Sequence, residues 1–242
     1  PAGEFILSGA FNEVLVFGVD FIFFLVISYV DSRWLDEVSR PLLVKTLAAQ
    51  GMKLLYTVPW PPQSLYSAKP VAALKDLNRT KMRAYNPATS YIATAVGAQP
   101  VTIQLAELPA ALATGGVDNF LTSSASGVDS KLYESVKYFY GVAAWLPRNA
   151  VVVNQKAFEA LDKATQDAVL QQAAASEQRG WKLSEQKDGE YIKELVAKGM
   201  TVDVNADNLK KELKAIGERM TADWIKLAGD DGKVVIDTYN RK

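Results

Sequence analysis

Cysteine and histidine are both absent from this chain of 242 residues. That absence removes whole classes of chemistry: no thiol nucleophile, no Cys/His zinc site and no Ser-His-Asp triad can be assembled. Carboxylate and lysine chemistry remain open. Lack of cysteine does not assign a compartment, because disulfides are permitted outside the cytoplasm but not required there. An excess of one charge is also missing, since 27 Lys and Arg balance 27 Asp and Glu. With no Lys/Arg-rich run either, the basic surface that nucleic-acid binding uses is absent. The opening PAGEFILSGAF carries no basic n-region of a signal peptide. What is present is ordinary for a globular chain, with 49% apolar and 22% charged residues. The length suits one large domain or two smaller ones.

The most apolar stretch is Val14 to Val30, VLVFGVDFIFFLVISYV. Its length is at the bottom of the range for a membrane-spanning helix, and Asp20 near its middle is costly in lipid. Val, Ile and Phe are residue types of strands. A buried strand, a loop and the start of a helix in an α/β protein is the favoured reading, with an inner-membrane anchor as its rival. Asp31 or Ser32 is expected to cap the amphipathic helix that follows, and Gly51 to stop it.

Beyond it, strand and helix patterns alternate. MKLLYTV reads as a buried strand, and VPWPPQ as a Pro-rich crossing between lobes. A strand at Lys81–Tyr85 ends at Asn86-Pro87, and a helix stopped by Gly97 leads to a strand at Pro100–Ile103. A further helix ends at Gly115 or Gly116, followed by VDNFLTS as a strand, SKLYESVKYF as a short helix and AVVVN as a buried strand. This alternation predicts an α/β fold with mostly parallel sheets. From Asn154 the sequence is nearly all helix former, too long for one lobe unless the helix crosses between two. MTVDVN is a short strand, and a last amphipathic helix carries Leu209, Leu213, Ile216, Met220 and Trp224 on one face.

Several of these pieces together resemble the solute-binding proteins of TRAP transporters, the DctP type. They are the K-x-R strand at Lys81–Arg83, GAQP at Gly97–Pro100, and AEL-x-x-AL-x-x-G-x-VD from Ala106 to Asp118. YESVKYF at Tyr133–Phe139 and RPLLVKTLAAQGMKLL upstream also fit. The resemblance covers essentially the whole chain. It implies a two-lobe periplasmic-binding-protein-like fold with a long helix spanning both lobes. Lobe I would comprise residues 1–60 and 150–189, and lobe II residues 61–149 and 190–242. The family normally begins with a further strand, helix and strand, so the resemblance implies that about one βαβ unit of lobe I is missing here.

The resemblance also implies a site. The arginine of the K-x-R strand, Arg83, would clamp a ligand carboxylate, a task suited to a planar, always-charged fork of donors. From the residues alone, a structural arginine paired with an acid is the alternative. Lys81 has no assigned role. Trp60 and Gln63 lie in the crossing where the family places a second ligand contact. No basic residue stands there, which suits a monocarboxylate better than a dicarboxylate. Asn86 is either a ligand contact or a turn former. Thr122 and Ser123 hold the place of a ligand-binding Asn, or they cap the next helix. Trp145 and Asn149 enter from the second crossing, and Phe21 lies in the apolar stretch where the family has a pocket-side loop. Arg148 reads as a surface charge, Glu107 as charge at a helix N-terminus, and Asp230 and Asp231 as a solvated turn.

The function implied is a periplasmic receptor for a small organic carboxylate, delivering it to TRAP membrane permease subunits. It would use no cofactor or metal, bind no nucleic acid and not itself span the membrane. The alternatives are a non-binding fragment of such a receptor, or an enzyme using Glu107 or Asp118 on a similar scaffold.

Overall fold

A computed structural model describes residues 2–3 and 22–241. Residues 14–21 of the apolar stretch, and with them the proposed contact Phe21, lie outside the described residues. The chain divides into two compact units. Unit 1 holds Pro1–Trp60, Trp145–Gln186 and Met220–Lys242, and unit 2 holds Pro61–Ala144 and Lys187–Arg219.

In unit 1, helix α1 spans Tyr29–Ala49. Its cap is Ser28, earlier than Asp31 or Ser32: the Ser28 hydroxyl accepts from Asp31 N at 3.1 Å, satisfying one of the amides that a helix start leaves unpaired. The chain leaves the helix through Gly51 at φ +71°, a left-handed turn that glycine takes without strain. Strands β1 (Ala2–Gly3), β2 (Met52–Pro59) and β8 (Arg148–Asn154) form a sheet in the order β1-β8-β2. Both pairings are antiparallel, and β2 carries an irregularity between Leu54 and Tyr56. Three residues of the apolar stretch and its sequel, Ile22, Val26 and Leu35, form one buried cluster with Leu146 and with Val235 and Ile236 near the end of the chain. This packing explains why residues 220–242 and 145–149 fall in unit 1 rather than with lobe II as the resemblance divides the chain. No described helix is long and apolar enough to cross a membrane.

Unit 2 is built on a sheet of six strands in the order β5-β4-β6-β3-β7-β9. These are β3 (Gln63–Ser67), β4 (Lys81–Ala84), β5 (Gln99–Thr102), β6 (Asn119–Ser123), β7 (Tyr138–Tyr140) and β9 (Thr201–Asp203). The sheets are not mostly parallel. In unit 2 β3 runs antiparallel to both β6 and β7, whereas β4 is parallel to β5 and β6, and β7 to β9. Short helices join the strands: α2 (Pro87–Ala95), α3 (Leu108–Ala113) and α4 (Ser124–Asp129). SKLYESVKYF gives only a 3₁₀ turn at Leu132–Glu134 before β7. The core gathers Tyr66, Phe120, Phe139, Leu108 and Leu195, with the Tyr66 and Phe120 rings stacked at 5.0 Å.

After the short α5 (Gln155–Glu159), two long helices contribute to both units: α6 (Lys163–Ala197) and α7 (Asp207–Tyr239). Helix α7 is interrupted at Gly229, φ 62° and ψ −147°, so the exposed Asp230 and Asp231 resume a helix rather than make a free turn.

Unit 1 also buries a charged network. Arg148 is 1% exposed and donates to Asp36 at 2.9 Å, which corrects its reading as a surface charge. Asp36 also binds Arg40, and it accepts from the Thr57 hydroxyl at 2.8 Å. Helix α6 adds Glu177, which accepts from Thr57 N at 2.9 Å, and Trp181, whose indole N–H donates to Thr57 O at 2.9 Å. Burial works against the Asp36 carboxylate, but Arg148, Arg40 and the hydrogen bonds outweigh it and hold its pKa below the usual value of 3.8. The two halves of such a pair protect one another, and removing one strands the other.

Arg148→Ala is therefore expected to destabilise the protein by about 3–5 kcal/mol in denaturant unfolding. A depressed carboxylate pKa adds stability above the unfolded value and loses it as pH falls through the folded one. Below pH 3.8 the wild type should lose melting temperature faster than Asp36→Asn.

Candidate ligand-binding site

Arg83 stands third in β4, one strand in from the edge of the unit 2 sheet. The sequence puts it on a strand because Met82 and Ala84, 2% and 1% exposed, fill the opposite, buried face. The Met82–Asn119 register between β4 and β6 sets Arg83, Phe120 and Thr122 on one face, and Met82, Asn119 and Ser123 on the other. Both strands are parallel, so Arg83 and Thr122 lie toward their C-terminal ends, where open α/β sheets place ligands.

Arg83 is 5% exposed. Its Nε donates to the Ile103 carbonyl at 2.8 Å, and its Cζ lies 4.5 Å from the centre of the Tyr85 ring. No acidic side chain forms an ion pair with it among the described residues. Burial lowers its pKa, with a smaller opposing effect from Tyr85, yet a guanidinium keeps its proton under any physiological condition. Burial also raises the Tyr85 hydroxyl pKa, so the ring above the guanidinium is a neutral phenol. The result is a buried, fixed cation whose terminal nitrogens meet no carboxylate among the described residues. Proteins seldom bury such a charge unless it is paired.

The other expected contacts divide. Gln63, Asn86, Thr122 and Ser123 share unit 2 with Arg83. Thr122 is 5% exposed and on the arginine's face, which fits a hydroxyl beside the guanidinium. Gln63 opposes Ser123 across β3 and β6, so both project from the other face. Gln63 Nε2 donates to Pro61 O at 3.1 Å. The hydroxyl of Ser123 caps α4, accepting from Ser126 N at 3.0 Å. Asn86 caps α2 by accepting from Thr89 N at 2.8 Å, so the capping and turn readings of these two residues describe their observed bonds. Trp60, Trp145 and Asn149 belong to unit 1. Trp60 is 41% exposed, and Asn149 is half-buried in β8. Trp145 is fully buried and lies edge-on to Phe23 at 4.3 Å in unit 1.

Two residues escape the sequence reasoning. Tyr85 follows Arg83 by two positions, so strand periodicity was a usable signal for it. Ser64 opposes Thr122 on the arginine's face and is 3% exposed; only the β3–β6 register reveals it. Lys81 is spent at the surface, donating to Gly115 O at 3.0 Å. Glu107 accepts from Gln104 N at 3.2 Å at the turn before α3. Asp118 accepts from Lys81 N at 2.8 Å and pins the start of β4. No cluster of acids that could hold a metal ion occurs among the described residues. An open groove of about 620 Å³ in unit 1, between β2 and α6, is lined by Leu55, Tyr56, Ala168, Val169 and Ala173 among others, and has no cation to receive an acid.

The family model for DctP, bacterial extracellular solute-binding protein family 7, matches residues 5–227. This chain belongs to that family, the receptors of TRAP transporters. The family consists of solute receptors rather than enzymes. Among solved structures, the chain is 46% identical to DctP6 of Bordetella pertussis, an extracytoplasmic solute receptor binding pyroglutamic acid. The match has a TM-score of 0.91 and covers 98% of this chain and 78% of that one. A marine metagenome TRAP solute-binding protein specific for pyroglutamate is 36% identical, with a TM-score of 0.88 and the same coverage of both chains. A curated solute-binding protein of a Sulfitobacter species is 26% identical over 182 residues, 75% of this chain and 55% of that protein. The chain thus spans about half the length of the curated relative it matches.

The capping geometry yields a direct expectation. Asn86→Ala should cost about 1 kcal/mol of stability in urea unfolding, and Asn86→Asp should restore most of it, because an aspartate oxygen can accept the same Thr89 amide.

Proposed function

We propose that this protein is a periplasmic receptor that captures a small monocarboxylate of the pyroglutamate type, with Arg83 as the carboxylate anchor, and hands it to a TRAP membrane permease. The observation that carries the reading is the buried guanidinium of Arg83, held by a carbonyl and a ring but without an acid among the described residues. A ligand carboxylate would supply the missing charge through two parallel charge-assisted hydrogen bonds. The low local dielectric strengthens that pair relative to water.

Pyroglutamate is suggested by what the relatives at 46% and 36% identity bind. Its chemistry suits the residues. One end is a carboxylate, and the other is an uncharged lactam that needs hydrogen-bond partners rather than a second cation. Thr122 and Ser64 offer hydroxyls on the face of Arg83. The crossing Val58–Gln63 has no basic residue for a second carboxylate.

The test is thermal unfolding and calorimetric titration with L-pyroglutamate, glutamate and a dicarboxylate such as succinate. Pyroglutamate at a hundred times Kd should stabilise by about 2.7 kcal/mol, raising Tm by roughly 5–10 °C for a chain of this size. Arg83→Ala should raise Kd at least about a hundredfold, equivalent to about 2.7 kcal/mol. A cooperative melt that none of these acids moves, or an Arg83→Ala variant that binds as the wild type does, would sink the reading.

A further inference from the structure

We infer that Tyr85 is a positioning residue for ligand capture: its ring and the Ile103 carbonyl hold the Arg83 guanidinium in a fixed plane, so that an incoming carboxylate is taken end-on by the two terminal nitrogens. The inference rests on Arg83 being the anchor.

An arginine side chain is long, and freezing its rotamers at the moment of binding costs affinity. Here the freezing is done in advance by two contacts of different kinds. The Nε–H is committed to Ile103 O at 2.8 Å, which fixes the direction of the fork. The Tyr85 ring, 4.5 Å from Cζ, fixes its tilt, since a guanidinium over an aromatic face is held by the ring quadrupole as well as by shape. Both contacts come from positions dictated by the sheet. Tyr85 is two residues beyond Arg83 along the same chain, and Ile103 N donates to Ala84 O at 3.1 Å, which seats the Ile103 carbonyl beside Arg83.

The geometry also chooses among the ways a guanidinium can meet a carboxylate. A side-on pair would use Nε together with one terminal nitrogen, but Nε is already spent on a backbone oxygen. Only the end-on pair through both terminal nitrogens is left. That arrangement orients the carboxylate plane and, with it, the rest of a rigid ring acid. An arginine without its stack would still attract an acid but would no longer aim it.

The experiment is calorimetric titration of L-pyroglutamate into wild type, Tyr85→Phe and Tyr85→Leu, each also in an Arg83→Lys background. Lysine keeps the charge but has no planar fork to aim. Tyr85→Phe, which keeps the ring, should leave Kd within about threefold, and Tyr85→Leu should raise it about tenfold, in the range of a lost cation–π contact. In the Arg83→Lys background, Tyr85→Leu should change Kd by less than about threefold, because there is no fork left to hold. Tyr85→Met takes the place of Tyr85→Leu if the latter has no cooperative melt. Three results would overturn the inference: no loss of affinity in Tyr85→Leu, an equal loss in Tyr85→Phe, or an equal loss in both backgrounds, the last marking a direct contact with ligand. Failure of the underlying reading looks different. Wild type would not bind pyroglutamate, or Arg83→Ala would bind it normally, and the inference would fall with it.

Discussion

Two arginines are buried in this protein, and they are treated in opposite ways. Arg148 is enclosed with Asp36 and Ser39; Arg40 and Thr57 bind the same carboxylate and are bound in turn by Glu177. Arg83 is almost as deeply buried, yet among the described residues it meets a carbonyl and an aromatic ring and no acid. Desolvating a charge is costly, and the first site recovers the cost inside the protein. The second has no such recovery among the described residues. In unit 2, β4 carries the arginine, Ile103 just beyond β5 supplies the carbonyl, and β6 places a hydroxyl on the same face.

The fold was largely legible because its elements are punctuated by residues with strong local preferences. Gly51 and Gly97 take positive φ after helices, and Asn86-Pro87 ends a strand and opens a helix. The start of α1 was misplaced because its cap, Ser28, is hidden in an apolar run while Asp31 and Ser32 advertise themselves. Asp31 does take part, through its amide to Ser28. Parallel pairing was over-read. Alternation of strand and helix suggests crossovers, but β3 enters unit 2 from the Pro-rich crossing and lies antiparallel to both of its neighbours.

The candidate site was legible in part, and the division follows sequence distance. Arg83 announces itself through a short motif on one strand. Asn86 and Ser123 were visible as polar residues at element ends, and their local hydrogen bonds are those of helix caps. Arg148 could not be placed from sequence, since its partner Asp36 lies 112 positions away on another element. Ser64 is equally silent, because only the β3–β6 register brings it opposite Thr122. Residues acting through neighbours in sequence can be read from sequence, and those acting through register cannot.

Thr57 has a consequence of a different kind. Its backbone amide and its carbonyl are taken by Glu177 and Trp181 of α6. Among the described strands β2 lies at the rim of its sheet, and a rim strand is ordinarily a template on which another chain can add, from which fibrous aggregates grow. Here a carboxylate and an indole occupy the two groups that a foreign strand would need. The ladder that an intruder could extend along β2 is therefore interrupted at Thr57, and one helix serves as a stop against misassembly as well as a packing layer.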